Sequence, residues 1–174
     1  IGDEDIDSTF SETARTLFAD ENVSSVFAAA AAGADAADQK FRLHLWLLDT
    51  GATIGIVGDR SLLSNYVAFS KPKLIVGLGN AHAHGIGVVH GMLKVSDPAA
   101  DDCDYVQFPF SVYHVPDAPK GFGILPALRL QRQNGHKSNF ESFTFHLSSG
   151  QTVDMVQKND LAFLPVYSGA GASN

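Results

Sequence analysis

Leu43, Leu45, Trp46, Leu47 and Leu48 form an apolar run that should drive a strand into a core, and the run stops at Asp49-Thr50-Gly51-Ala52-Thr53. A buried strand ending in a carboxylate, a hydroxyl and a glycine can serve chemistry. Gly51 lets the backbone turn tightly and brings its amide close to a ligand. The Thr50 hydroxyl can stiffen the loop by donating to a neighbouring backbone group. Asp49 is left at the mouth of the loop. The same residues also make an ordinary turn, because Asp, Thr and Gly all form turns. Hydrolysis of a peptide bond by carboxylates needs two of them. The ionised one takes a proton from water, and the protonated one polarises the carbonyl. Two carboxyls held close cannot both ionise, so the pair shares one proton and titrates as a unit. No second Asp-Ser/Thr-Gly occurs in the chain. The second carboxylate must then come from Asp49 of another copy across a two-fold axis, which predicts a homodimer.

The surroundings of Asp49 carry a longer match. Trp46-Leu47-Leu48-Asp49-Thr50-Gly51-Ala52-Thr53 is followed by Gly58-Asp59-Arg60-Ser61-Leu62-Leu63. Downstream lie Gly85-Ile86-Gly87-Val88-Val89, Val112-Tyr113-His114-Val115-Pro116-Asp117 and Gly150-Gln151-Thr152-Val153 with Leu161-Ala162-Phe163-Leu164. Over residues 41–167 this resembles the retropepsin-type aspartic proteases, and among them the copia-type retrotransposon proteases. That family writes Trp, two apolar residues, Asp-Ser-Gly-Ala-Ser/Thr, and then Gly-Asp/Asn-Arg-Ser-Leu-Phe. The resemblance implies a homodimeric endopeptidase that cuts its own Gag-Pol polyprotein in the cytoplasm, within virus-like particles. Asp49 would be catalytic, Thr50, Gly51 and Ala52 would form the active-site loop, and no metal or cofactor is implied. Residues 71–91, rich in glycine, resemble the flap, with Gly77, Leu78, Gly79, Asn80 and Gly85 against the peptide. Ile124 and Leu125 stand where the family braces its loop. Two departures stand out. Gly123-Ile124-Leu125-Pro126 lacks the small residue after the apolar pair, and Ile54-Gly55-Ile56 replaces a frequent His-Met.

The chain has 174 residues, 45% of them hydrophobic, enough for one ordinary core. It has no apolar stretch long enough to span a membrane. The acidic opening Ile-Gly-Asp-Glu-Asp predicts no secretory signal, and the missing initial Met suggests a piece of a longer chain. A net charge of −7 argues against a nucleic-acid surface. The lone Cys103 cannot form an internal disulfide or a cysteine zinc site, and it fits a reducing compartment.

Other constellations are poorer. Gly77-Leu78-Gly79 lacks the helix and βαβ unit of a dinucleotide loop. His82, His84 and His90 share one strand face, but no cysteine or nearby carboxylate completes a metal site. No Gly-x-Ser-x-Gly supports a serine hydrolase. Cys103 is flanked by Asp101, Asp102 and Asp104, which disfavour a thiolate.

The elements that must position Asp49 follow from pattern. Residues 1–40, acidic and then alanine-rich, read as a linker or loosely docked arm, with a turn or two of helix over Ser8–Phe18. From Phe41 the pattern is β. Strands are expected at 42–48, 53–57, 65–69, 73–78, 83–95, 105–110, 111–115, 138–147, 152–157 and 161–166. Asp59 caps a helical turn, the one true helix covers 125–133, residues 96–103 form an exposed loop, and 168–174 form a frayed tail. Many short strands and one late helix predict an all-β fold, by resemblance a closed or partly open retropepsin-like β-barrel with a flap hairpin. A non-catalytic peptide-binding or dimerisation module on the same fold is one alternative, and an inactive monomeric precursor with residues 1–40 folded over the dimer surface is another.

Overall fold

Leu45, Trp46, Leu47 and Leu48 are apolar at odd and even positions alike, so the strand holding them must be buried on both faces. The computed structural model describes residues 4–32, 41–96 and 105–169, and it shows this burial. In chain order the elements begin with α1 (Glu12–Ala19), α2 (Val23–Ala32), β1 (Phe41–Asp49), β2 (Ile56–Val57), β3 (Ser64–Leu74) and β4 (His82–Lys94). They continue with β5 (Tyr105–His114), β6 (Gly123–Pro126), α3 (Ala127–Asn134), β7 (Lys137–Asn139), β8 (Thr144–His146), β9 (Thr152–Asp154), β10 (Val156–Lys158) and β11 (Leu161–Gly169).

The main sheet has eight strands in the order β10-β11-β1-β6-β2-β5-β4-β3, and β7-β8-β9 form a second, small sheet. β1 runs antiparallel to β11, from Phe41 opposite Gly169 to Leu47 opposite Phe163. It runs parallel to β6, with Leu47, Leu48 and Asp49 beside Ile124, Leu125 and Pro126. β2 and β5 are also parallel. A single bridge, Tyr167 to Met92, links β11 to β4. Leu45 and Leu47 join one apolar cluster with Phe10, Ala14, Val23 and Phe27 of the N-terminal segment. Trp46 and Leu48 join the other, with Leu130 of α3 and Phe145 and Val153 of the small sheet. Asp49 therefore ends a strand that is walled in on both sides.

The expected all-β barrel with one late helix is corrected by this arrangement: the fold is mixed α/β, with three helices and parallel strand pairs in an eight-stranded sheet. The N-terminal helices were underrated because alanine buries little area. Their anchors are larger side chains. Phe18 and Phe27 pack on Phe122 at 5.7 and 5.3 Å between ring centroids, and Phe27 meets Phe163 at 5.1 Å. Ser11 caps α1, its hydroxyl accepting from the Ala14 N–H at 3.1 Å.

Several boundaries also shift. β5 runs through Pro109, which sits where β4 is the strand's partner and β2 has not yet joined. β3 passes through Lys71-Pro72 by a register shift between Ala68 and Lys73. The stretch 138–147 breaks into β7 and β8, with Phe143 at φ 52. The stretch 152–157 divides at Met155 between the two sheets. Asp59 does cap a single 3-10 turn over Arg60–Leu62. Ser168 and Gly169 belong to β11, whereas the tail beyond them and residues 97–104, with Cys103, lie outside the described residues. Among the described residues, no helix is long and apolar enough to cross a membrane.

Candidate active site

β1 delivers Asp49 to its C-terminal end, where the carboxyl is 5% exposed. Oδ1 accepts the Gly51 N–H at 2.9 Å, which closes the tight turn that Asp-Thr-Gly predicts. The Asp49 carbonyl accepts the Ala52 N–H at 3.4 Å, and Ala52 is buried. Thr50 is exposed, and its hydroxyl makes no hydrogen bond among the described residues. The loop is stiffened by other groups instead. The Arg129 guanidinium of α3 donates to the Thr53 carbonyl at 3.0 Å. Ile124 and Leu125 lie beside Leu47 and Leu48, directly under the loop, and Pro126 stands opposite Asp49. Gly123 is required where it is, because a Cβ there would come within 2.7 Å of the Trp46 ring.

The N-terminal segment covers this site. The Ser11 N–H donates to Asp49 Oδ2 at 3.1 Å. The Thr9 N–H donates to Thr53 Oγ1 at 2.9 Å, and the Thr53 N–H donates to the Thr9 carbonyl at 3.0 Å. The Thr9 hydroxyl donates to the Gly51 carbonyl at 3.0 Å. Both carboxylate oxygens are thus engaged within one chain.

The residues expected in a flap are placed differently from one another. Gly77, Leu78, Gly79 and Asn80 lie in the 75–81 loop between β3 and β4. Leu78 is buried with Ile75 and Ala81 in the same apolar cluster as Phe10, so the loop tip is seated rather than free. Gly77 and Gly79 take φ +89 and +63, values that favour glycine. Gly85 lies within β4, opposite His114, where a Cβ would meet the Tyr66 ring at 2.4 Å.

Beside Asp49 is an open cavity of about 350 Å³, lined in part by Ser11, Thr13, Thr50, Phe140 and Asp160. His82, His84 and His90 alternate with buried positions on β4. No group of three metal-ligating side chains is gathered among the described residues. His114 bonds Tyr66 through Nδ1 at 2.9 Å, and burial, then His84 and Arg60, push its imidazole pKa down. The Asp59-Arg60-Ser61 stretch is occupied structurally. Asp59 accepts from the Ser61 N–H and from Arg42 at 2.9 and 2.6 Å. Burial pushes its carboxyl up, but Ser61 and Arg42 outweigh that and hold it below the usual range.

Sequence reasoning missed Thr9, Ser11, Arg129 and Asp160, and it placed Thr53 in the motif without a partner. The legible trace of the first two was the alternation Ile6, Ser8, Phe10 against Asp7 and Thr9, which a strand-like segment would show. One carboxylate so held can accept a proton from water, and among the described residues the other carboxyl lining the same cavity is that of Asp160. No family model matches the chain, and no curated protein and no solved structure matches it either.

Proposed function

We propose that the chain is an aspartic endopeptidase of the copia-type retrotransposon kind, active as a homodimer in which Asp49 of each copy forms the catalytic pair. The observation that carries this reading is the placement of Asp49. It is a nearly buried carboxylate at the end of a central strand, on a tight Gly-containing loop braced from below by Ile124 and Leu125 and from the side by Arg129. In the dimer one carboxylate takes the proton of the attacking water as the other, protonated, hydrogen-bonds the scissile carbonyl. Thr50, the residue after Asp49, is exposed. The substrate is an extended peptide held by backbone hydrogen bonds, in the way strands accept an added strand. Its source would be the polyprotein of the same element.

The test is incubation of wild type and Asp49→Asn with a polyprotein extended at both ends, with and without a pepstatin-type inhibitor. Cleavage by the uninhibited wild type alone is expected. Dimers that cleave nothing would remove the catalytic reading. A second reading, a non-catalytic peptide-binding module, is favoured by the Ser11 N–H seated on Asp49 Oδ2.

A further inference from the structure

Residues 6–11 run between two walls. On one side Ile6 pairs in parallel with Ile75: its N–H donates to the Leu74 carbonyl at 2.8 Å, and its carbonyl accepts the Val76 N–H at 3.0 Å. The Ser8 hydroxyl then donates to the Val76 carbonyl. On the other side, from the next residue on, Thr9 and Ser11 bond Thr53, Gly51 and Asp49. Ile6, Ser8 and Phe10 turn inward, while Asp7 and Thr9 stay exposed. Both walls make room for main chain. A Cβ on Gly77 would come within 2.9 Å of the Ser8 carbonyl oxygen, and one on Gly51 within 2.7 Å of the Ser11 nitrogen.

Most of these contacts use backbone groups or a single hydroxyl. A channel built this way holds an extended chain whatever its exposed side chains are, and selects only at alternate inward positions. We propose that Ile6–Ser11 is an internal peptide ligand, seated in the site's own binding channel with the Phe10–Ser11 amide on Asp49. The ligand class it reports is an extended peptide with an aliphatic, then a small, then an aromatic side chain at successive inward positions. The inference rests on reading the Asp49 loop as the floor of a peptide site. It also makes the chain latent, because a peptide in trans and this segment compete for the same N–H and carbonyl groups.

The measurement is fluorescence anisotropy of a labelled synthetic peptide carrying residues 4–13, titrated with full-length chain. Thr9→Pro removes both the N–H that bonds Thr53 Oγ1 and the hydroxyl that bonds the Gly51 carbonyl, at an exposed position, and Ile6→Asp places a charge at the other wall. Protection of the β4–β5 amides from hydrogen exchange shows that each variant is folded; if one is not, the other is read. Either folded variant should bind the peptide at least about ten-fold more tightly than wild type, ten-fold being the scale of a single hydrogen bond lost by the internal segment. A peptide with Asp at the Phe10 position should bind weakly to both variants. Equal affinity for wild type and variants, or folded variants that bind nothing, would overturn the proposal. Cleavage of the bound peptide is a separate readout: binding without cleavage supports the internal ligand and counts against the protease.

Discussion

At the scale of single residues, Asp49 combines two demands on one side chain. Each carboxylate oxygen accepts a backbone N–H, so Asn can satisfy one donor but turns an amide N–H₂ toward the other. Asp49→Asn should therefore keep the fold and lower stability by about 1–2 kcal/mol, read by urea unfolding. Gly123→Ala forces a methyl onto the Trp46 ring and should cost about 1–3 kcal/mol by the same measurement. His44 gives a pH dependence. Burial pushes its imidazole down to about 4 from an ordinary 6.5, with Asp59 raising it and Arg42 lowering it by smaller amounts. The unfolded chain thus binds the proton first as pH falls. Stability is complete above about 6.5 and is lost toward pH 4, by on the order of 3 kcal/mol. His44→Phe should flatten that acid limb, measured as unfolding midpoint against pH.

The candidate site was legible in the sequence as far as side-chain types define it. Asp49 and Gly51 could be named because strand end and turn are marked by residue type, whereas the Ile124-Leu125 pair was named only through the family resemblance. Ser11 and Thr9 could not be, since they reach the loop largely through backbone N–H groups that every non-proline residue carries. Arg129 was hidden because its bond to the Thr53 carbonyl depends on how α3 leans on the sheet.

Among the elements, the N-terminal helices changed the picture most. Ala28–Ala32 suggested weak docking, yet Phe27 of α2 contacts two buried rings, Phe122 and Phe163. Phe27→Ala should cost about 3–5 kcal/mol, the range for opening a cavity at a buried aromatic. A loss under about 1 kcal/mol, by urea unfolding, would mean that α2 contributes little to the folded core. The unbroken apolar run of β1 marks a strand covered on both faces, as in sheets with parallel pairs. The pairing of β1 with β6 joins segments far apart in the chain, and no local signal announces it.

For the whole molecule, β1 and β11 were recoverable from pattern, whereas β6, which flanks Asp49 on the other side, and the order of the strands in the sheet were not. A carboxylate walled in by the chain's own N-terminal segment has to be uncovered before it can face a second copy. In the proposed function two carboxylates come from two chains, which would make activity a property of the pair. The most direct measurement is therefore a mixing experiment on the Thr9→Pro protein, in which wild-type Asp49 and Asp49→Asn copies are combined at equal amounts and fixed total concentration. With random pairing, cleavage of the extended polyprotein should fall to about one quarter of that of the unmixed Asp49 protein, because only pairs with both carboxylates act. A fall to about one half would show that each chain acts alone, and it would contradict a shared catalytic pair.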